Sequence, residues 1–213
     1  MKFHLAVFAI AAASSISFPA VAQFSLPSIP GLSKASANTA DVGAQQDSLI
    51  AGYVAANKDV LTANAKMAEA LGLKSESAAA LATAEALTSG ATKDSINETD
   101  KAIGASTSAV SAELAKAPKL DATAKQTFAA GLVSLASGAV RYVGVGKNVK
   151  AMTNSLSSVS PLQLPKLQSA VTIVANFPES MASVSTALQN AVAFAKNNDI
   201  PVPADATSIL SAL

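Results

Sequence analysis

Gln126–Val140 reads QTFAAGLVSLASGAV, fifteen consecutive residues without a charge, bounded by Lys125 and Arg141. Apolar and small residues fall on every side of a helical wheel here, whereas a surface helix shows one apolar stripe and one charged face. The stretch therefore predicts a buried helix at the centre of a bundle. A bilayer is the rival solvent, but the fifteen residues include Gln126, Thr127, Ser134 and Ser137 and fall short of the roughly 18 to 20 strongly apolar residues that a spanning helix needs. No stable membrane span is expected beyond the N-terminal leader.

That leader is residues 1–22. Lys2 is followed by an apolar run from Leu5 to Ala13 and then by Ala20-Val21-Ala22, the small-x-small form of a signal peptidase site, with cleavage expected before Gln23. No Cys follows that could be lipidated, so the mature chain is expected to be periplasmic or secreted. Removing 22 of 213 residues leaves 191, enough for one domain that buries most of its apolar surface. Residues 23–40, with Pro27, Pro30 and Gly31 as helix breakers, are expected to form an extended or disordered arm. Residues 41–213 form the bundle domain.

Outward from the central stretch, apolar residues recur at helical spacing. Leu49, Tyr53, Val54, Val60, Leu61, Met67 and Leu71 line a first helix from Asp41, stopped by Gly72. Ser75 is placed to cap a shorter second helix. The third opens at Thr92 or at Ser95, where Ser95 and Glu98 have capping-box spacing, and its seam is Ile96, Ile103, Val110 and Leu114. Asp121 is placed to cap the central helix, which continues toward Pro161 with a kink or break expected at Gly144 and Gly146. Phe177-Pro178 is expected to divide two further helices, about Lys166–Asn176 and Glu179–Lys196, before a short terminal helix from Ala204. No segment alternates as a strand does. The fold class is all-α, a single bundle of five or six helices with an extended N-terminal arm.

The residue types that are missing restrict the chemistry. The single His is His4, in the leader, so the mature chain has no His, Cys or Trp. The usual general base at neutral pH, thiol nucleophiles and the imidazole or thiolate ligands of zinc, copper and haem are absent with them. No Ser-x-x-Lys or Gly-x-Ser-x-Gly spacing occurs. Gly144-Val145-Gly146-Lys147 invites a phosphate-loop reading, but Arg141 and Val149 stand where the Walker and dinucleotide motifs need Gly. Asp94, Asn97, Glu98 and Asp100 gather oxygen ligands, yet they lack the turn Gly and late Glu of a calcium loop, and acidic residues suit a first helical turn. Without Lys2 the charges balance at 14 basic and 14 acidic residues, which leaves no basic face for nucleic acid. A non-enzymatic protein with no cofactor, no metal and no nucleic-acid partner is expected.

Two functions suit what remains, because charged residues are only 14% of the chain against the roughly 25% usual in soluble domains. One is an exported helical binding protein that holds a hydrophobic small molecule or lipid between helices. Phe128, Leu132, Leu135 and Val145 would line the pocket, and Arg141 and Tyr142 would meet a polar or anionic head at its mouth. Against it stands the reading that Arg141 ends a buried segment by reaching water or a carboxylate, with Tyr142 as core. The other function is a structural or interaction protein of the cell envelope that meets a partner protein, or itself, through exposed apolar helix surface. A membrane-active protein is a more distant third.

Overall fold

Glycine decides how closely the two longest helices approach. The computed structural model describes residues 32–211, with side chains from residue 41 onward. The expected leader and residues 23–31 of the expected arm lie outside these residues. α1 (Leu32–Ala70) and α4 (Ala122–Leu156) run antiparallel. A Cβ on Gly131 would lie 2.9 Å from Met67 Cγ and 3.1 Å from the Ala63 carbonyl oxygen; one on Gly138 would lie 2.9 Å from Val60 Cγ2 and 3.3 Å from the Ala56 carbonyl oxygen. Seven residues on, Val145 packs against Gly52 of α1. The two helices thus meet along a seven-residue repeat, with backbone nearly touching backbone where glycine removes the side chain.

α2 (Lys74–Ala86) folds back on α1, α3 (Lys93–Leu114) packs against α1 and α5, and α5 (Gln168–Asn197) closes the bundle against α3 and α4. A 3-10 turn at Leu164–Leu167 leads into α5, and α6 (Ala204–Ile209) lies on α4. The described residues therefore form a bundle of six α-helices. α1 is its hub, touching α2, α3, α4 and α5. Leu49, Tyr53, Val60, Leu61, Ala63, Met67 and Ala68 are all but excluded from solvent along its length.

Several helix ends follow from local chemistry. Gly72, at φ +79°, closes α1; its N–H reaches the Glu69 carbonyl at 3.0 Å and that of Leu73 reaches Ala68 at 2.8 Å, the paired bonds of a left-handed glycine cap. Asp121 Oδ1 accepts from the Ala124 N–H at 2.8 Å at the start of α4. α3 begins at the earlier of its two expected caps: the capping box is Thr92 with Ser95, not Ser95 with Glu98. Ser75 does not cap α2, because its hydroxyl donates to Glu76 and the cap position belongs to Leu73.

Four larger expectations are corrected. Residues 32–40, assigned to an extended arm, are helical and extend α1. α4 passes through Gly144 and Gly146 as one helix, since losing two Cβ atoms lowers helix propensity by about 1 kcal/mol each without removing a hydrogen bond. α5 passes through Pro178. That proline leaves the Val174 carbonyl without its donor, but Ile173 and Phe177 before it and Ser180 and Val184 after it are all buried, so one packed face continues across the defect. The fourth concerns α4 itself, which is not surrounded: Gln126, Ala130, Val133, Ser137 and Val140 face solvent.

The glycine contact gives a paired prediction. Gly138→Ala should lower unfolding stability by about 1 kcal/mol, because overpacking at Val60 outweighs the gain in helix propensity. Gly144→Ala, where nothing lies within 4 Å of the added Cβ, should raise it by about 0.5–1 kcal/mol. Urea unfolding of both variants checks this; an equal gain at the two sites would contradict a close α1–α4 contact.

Candidate functional site

The six residues singled out from the sequence divide into core and surface. Phe128, Leu132, Leu135, Tyr142 and Val145 are buried among one another's neighbours, and Phe128 meets the Phe194 ring with centroids 5.1 Å apart. Arg141 points the other way. Its side chain is 54% exposed, and its Nε donates to Asp59 Oδ2 at 2.8 Å, an oxygen that also accepts from the Ser137 hydroxyl at 3.0 Å. One residue along a helix is a turn of about 100°, so Arg141 and Tyr142 do not share a pocket mouth. The guanidinium ties α4 to α1 at the surface, while the phenol enters the interior.

What the phenol enters is a polar network that the sequence reading did not assemble. Tyr142 donates to Asn57 Oδ1. Tyr53, with no exposed surface, stacks edge-on against Tyr142 at 5.8 Å and donates its hydroxyl proton to Asp100 Oδ1 at 2.6 Å. Ser180 Oγ lies 2.9 Å from the same phenol oxygen. Asn176 Nδ2 donates to Asp100 Oδ2 at 2.8 Å and to Asn97 Oδ1 at 3.1 Å. Four helices, α1, α3, α4 and α5, therefore contribute to one connected set of groups.

Its electrostatics follow from burial. Asp100 is half-buried, and loss of water pushes its carboxyl above the ordinary 3.8; hydrogen bonds from Tyr53, Asn176 and Asn57 pull the other way and Glu179 adds repulsion. Burial also holds both phenols well above the usual tyrosine range, with the Asp100 charge adding to the effect. The tyrosines are therefore neutral donors. Asp100 faces a cleft of about 470 Å³ between α3 and α5, which Asn97, Lys101, Asn176, Glu179 and Ser183 also line. The quartet Asp94, Asn97, Glu98 and Asp100 is split by the helical period: Asn97 and Asp100 turn toward α5, while Asp94 and Glu98 are exposed. No group of three or more His, Cys, Asp or Glu side chains placed to hold a metal occurs among the described residues.

A second feature is apolar. Val133 is 56% and Val140 49% exposed, seven residues apart on the outer face of α4, and no charge interrupts that face between Lys125 and Arg141. Leu162, in the α4–α5 connection, is 90% exposed. The expectation that no stable membrane span follows the leader is overturned by the same helix. Ala122–Leu156 contains an 18-residue window of mean hydropathy 1.4, so α4 is long and apolar enough to cross a membrane. Counting only the interval between charges missed this, since a spanning helix accommodates a charge near its end by extending the side chain to the interface. Half of the window is buried inside the bundle.

Comparison with models of known protein families, with curated proteins and with solved structures finds no match to this chain.

The raised Asp100 carboxyl makes a signed prediction. A group that holds its proton more tightly folded than unfolded contributes most to stability below its unfolded value, and that contribution is lost as pH rises through the folded value. Asp100→Asn removes the titration. The stability of the wild-type chain relative to Asp100→Asn should therefore fall as pH rises from about 4 toward neutral. Urea unfolding of both proteins across that range measures it, and a difference that grew with pH would contradict the assignment.

Proposed function

We propose that this chain is a non-enzymatic, exported interaction protein of the cell envelope that engages its partner through the outer face of α4. The observation that carries the reading is the uncharged solvent-facing strip from Gln126 to Val140, with Val133 and Val140 each about half exposed. Exposed valines set singly on a surface need no explanation, but a charge-free face along four turns of helix does. Such a face loses little on desolvation and gains from burial against an apolar surface. Export rests on the sequence of residues 1–22.

The carrier reading has less support. Phe128, Leu132, Leu135, Tyr142 and Val145, the residues it assigned to a pocket, fill the core, and the α3–α5 cleft, which none of them lines, carries Asp100, Lys101 and Glu179 beside Ile103 and Ala105. Insertion of α4 into a bilayer is the reading that its length and hydropathy favour next. It requires the helix to leave α1 and to carry Gly131 and Gly138 out of a close contact.

Replacing both valines by lysine separates the readings. Val133→Lys/Val140→Lys alters only exposed positions, so stability should stay within about 0.5 kcal/mol of wild type. Photo-crosslinking from residue 137 in the native host should give a discrete protein adduct in the wild type and lose it in the double variant. Crosslinks to lipid instead of protein would establish the inserted helix, and no adduct of either kind would contradict the proposal.

A further inference from the structure

The outer face of α4 is bordered, along the edge it shares with α1, by two opposite charges. Asp59 and Lys66 stand seven residues apart on α1, Asp59 beside Gly138 and Lys66 beside Gly131, so both lie on the same side of that helix. Asp59 Oδ2 accepts from the Ser137 hydroxyl at 3.0 Å and from Arg141 Nε at 2.8 Å. Both bonds fall on one oxygen, which leaves Oδ1 able to accept from a further donor. Lys66 Nζ reaches the Ser134 hydroxyl at 3.4 Å. It has no anion, since the ion pairs among the described residues are Lys116 with Glu113 and Arg141 with Asp59.

This edge and the face beside it are complementary to themselves. Val133 and Val140, the exposed valines of the face, have their midpoint between residues 136 and 137. The charged groups, Lys66 at Ser134 and Asp59 between Ser137 and Arg141, are centred at the same level of α4. A two-fold axis through that level, perpendicular to α4, lays a second α4 antiparallel on the first and keeps both copies of α1 on one flank of the pair. Val133 then meets Val140 of the partner subunit, and Asp59 meets Lys66 of the partner subunit, each contact occurring twice. A parallel copy would instead bring like charges together at both places, which disfavours it. A lipid surface would leave Lys66 without an anion and Asp59 Oδ1 without a donor. A closed two-fold interface requires one patch that complements itself, and here the apolar pair and the charged pair satisfy that requirement about a single centre.

We infer that the outer face of α4 binds a second copy of this chain, the two α4 helices crossing antiparallel near residues 136 and 137, with Val133 against Val140 and Asp59 against Lys66 across the interface. The inference rests on the reading of this face as the interaction surface and names its partner. The valines supply the apolar contact, and the charges at the rim fix the direction and the register.

The test is sedimentation of the mature chain between about 1 µM and about 1 mM, where a monomer–dimer equilibrium with Kd of about 0.1 mM is expected for so small an interface. Lys66→Glu and Asp59→Lys should each weaken it about tenfold, since each sets like charges together at two places, and an equimolar mixture of the two variants should associate again. Should Asp59→Lys fail to fold, the weakening by Lys66→Glu decides the point. Direction is read from disulfides: under mild oxidation Val133→Cys should crosslink to Val140→Cys in a mixture and not to itself. A monomer up to about 1 mM, association unchanged in Lys66→Glu, or crosslinking of Val133→Cys chiefly with itself would overturn the inference. Photo-crosslinking from residue 137 in the native host separates this result from the broader reading. An adduct of twice the chain's mass is expected here; an adduct with a different protein would overturn the second copy and leave the interaction surface standing, and no protein adduct would remove both.

Discussion

The contact of α4 with α1 through Gly131 and Gly138 is the constraint on which the rest of the structure depends. At both positions a methyl group would come within 2.9 Å of a neighbouring side chain, so the interaxial distance is set by the absence of two side chains. Burial of Val60, Met67, Leu132, Leu135 and Ala139 on the facing surfaces follows from that approach. Dispersion between closely packed small residues is individually weak and collectively large, and here it operates along antiparallel helices of 39 and 35 residues. Because the sides of α4 turned toward α1 and toward α5 and α6 are spent, the third is left outward. The lack of charge on that third side is then unrelated to burial, and it is the feature that supports an interaction function.

The same pairing positions the polar network. Tyr53 and Asn57 stand one turn apart on α1, and Tyr142 reaches Asn57 from α4. Asp100, Asn176 and Ser180 complete the set from α3 and α5. Buried polar groups are costly unless they are matched, and this set is nearly closed on itself, whereas elsewhere in the bundle Asn64 keeps a side-chain oxygen with no partner. Asp100 is the one acidic member of the set, and both of its oxygens accept hydrogen bonds from within it, Oδ1 from Tyr53 and Oδ2 from Asn176.

Much of the fold was legible because helix ends and apolar stripes are local. Gly72 and Asp121 act as their residue types suggest, and the seam Ile96, Ile103, Val110, Leu114 is buried as its spacing implies. Pro178 was misread because a missing N–H is a local penalty, while the face shared by Phe177 and Ser180 is a tertiary gain that no window around the proline displays. Gln126–Val140 was misread in a different way: absence of charge was taken as burial on all sides, although it is equally compatible with an apolar surface. The network was not legible, since residues 53, 57, 100, 142, 176 and 180 share no motif. Its only traces in the sequence were a polar residue in line with the apolar positions of the first helix, Asn57 between Tyr53 and Val60, and the helical period that separates Asp100 from Asp94 and Glu98.

The account stands most directly on which sides of α4 meet water. The chain has no cysteine, so single cysteines placed in turn along residues 126–145 of the purified protein report solvent access without background. Thiol labelling should rise and fall with the helical period, fast at positions 130, 133, 137 and 140 and slow at 132, 135, 136 and 139. Uniformly slow labelling along the whole stretch would contradict the account, because it would mean that α4 is enclosed on every side and presents no face to a partner.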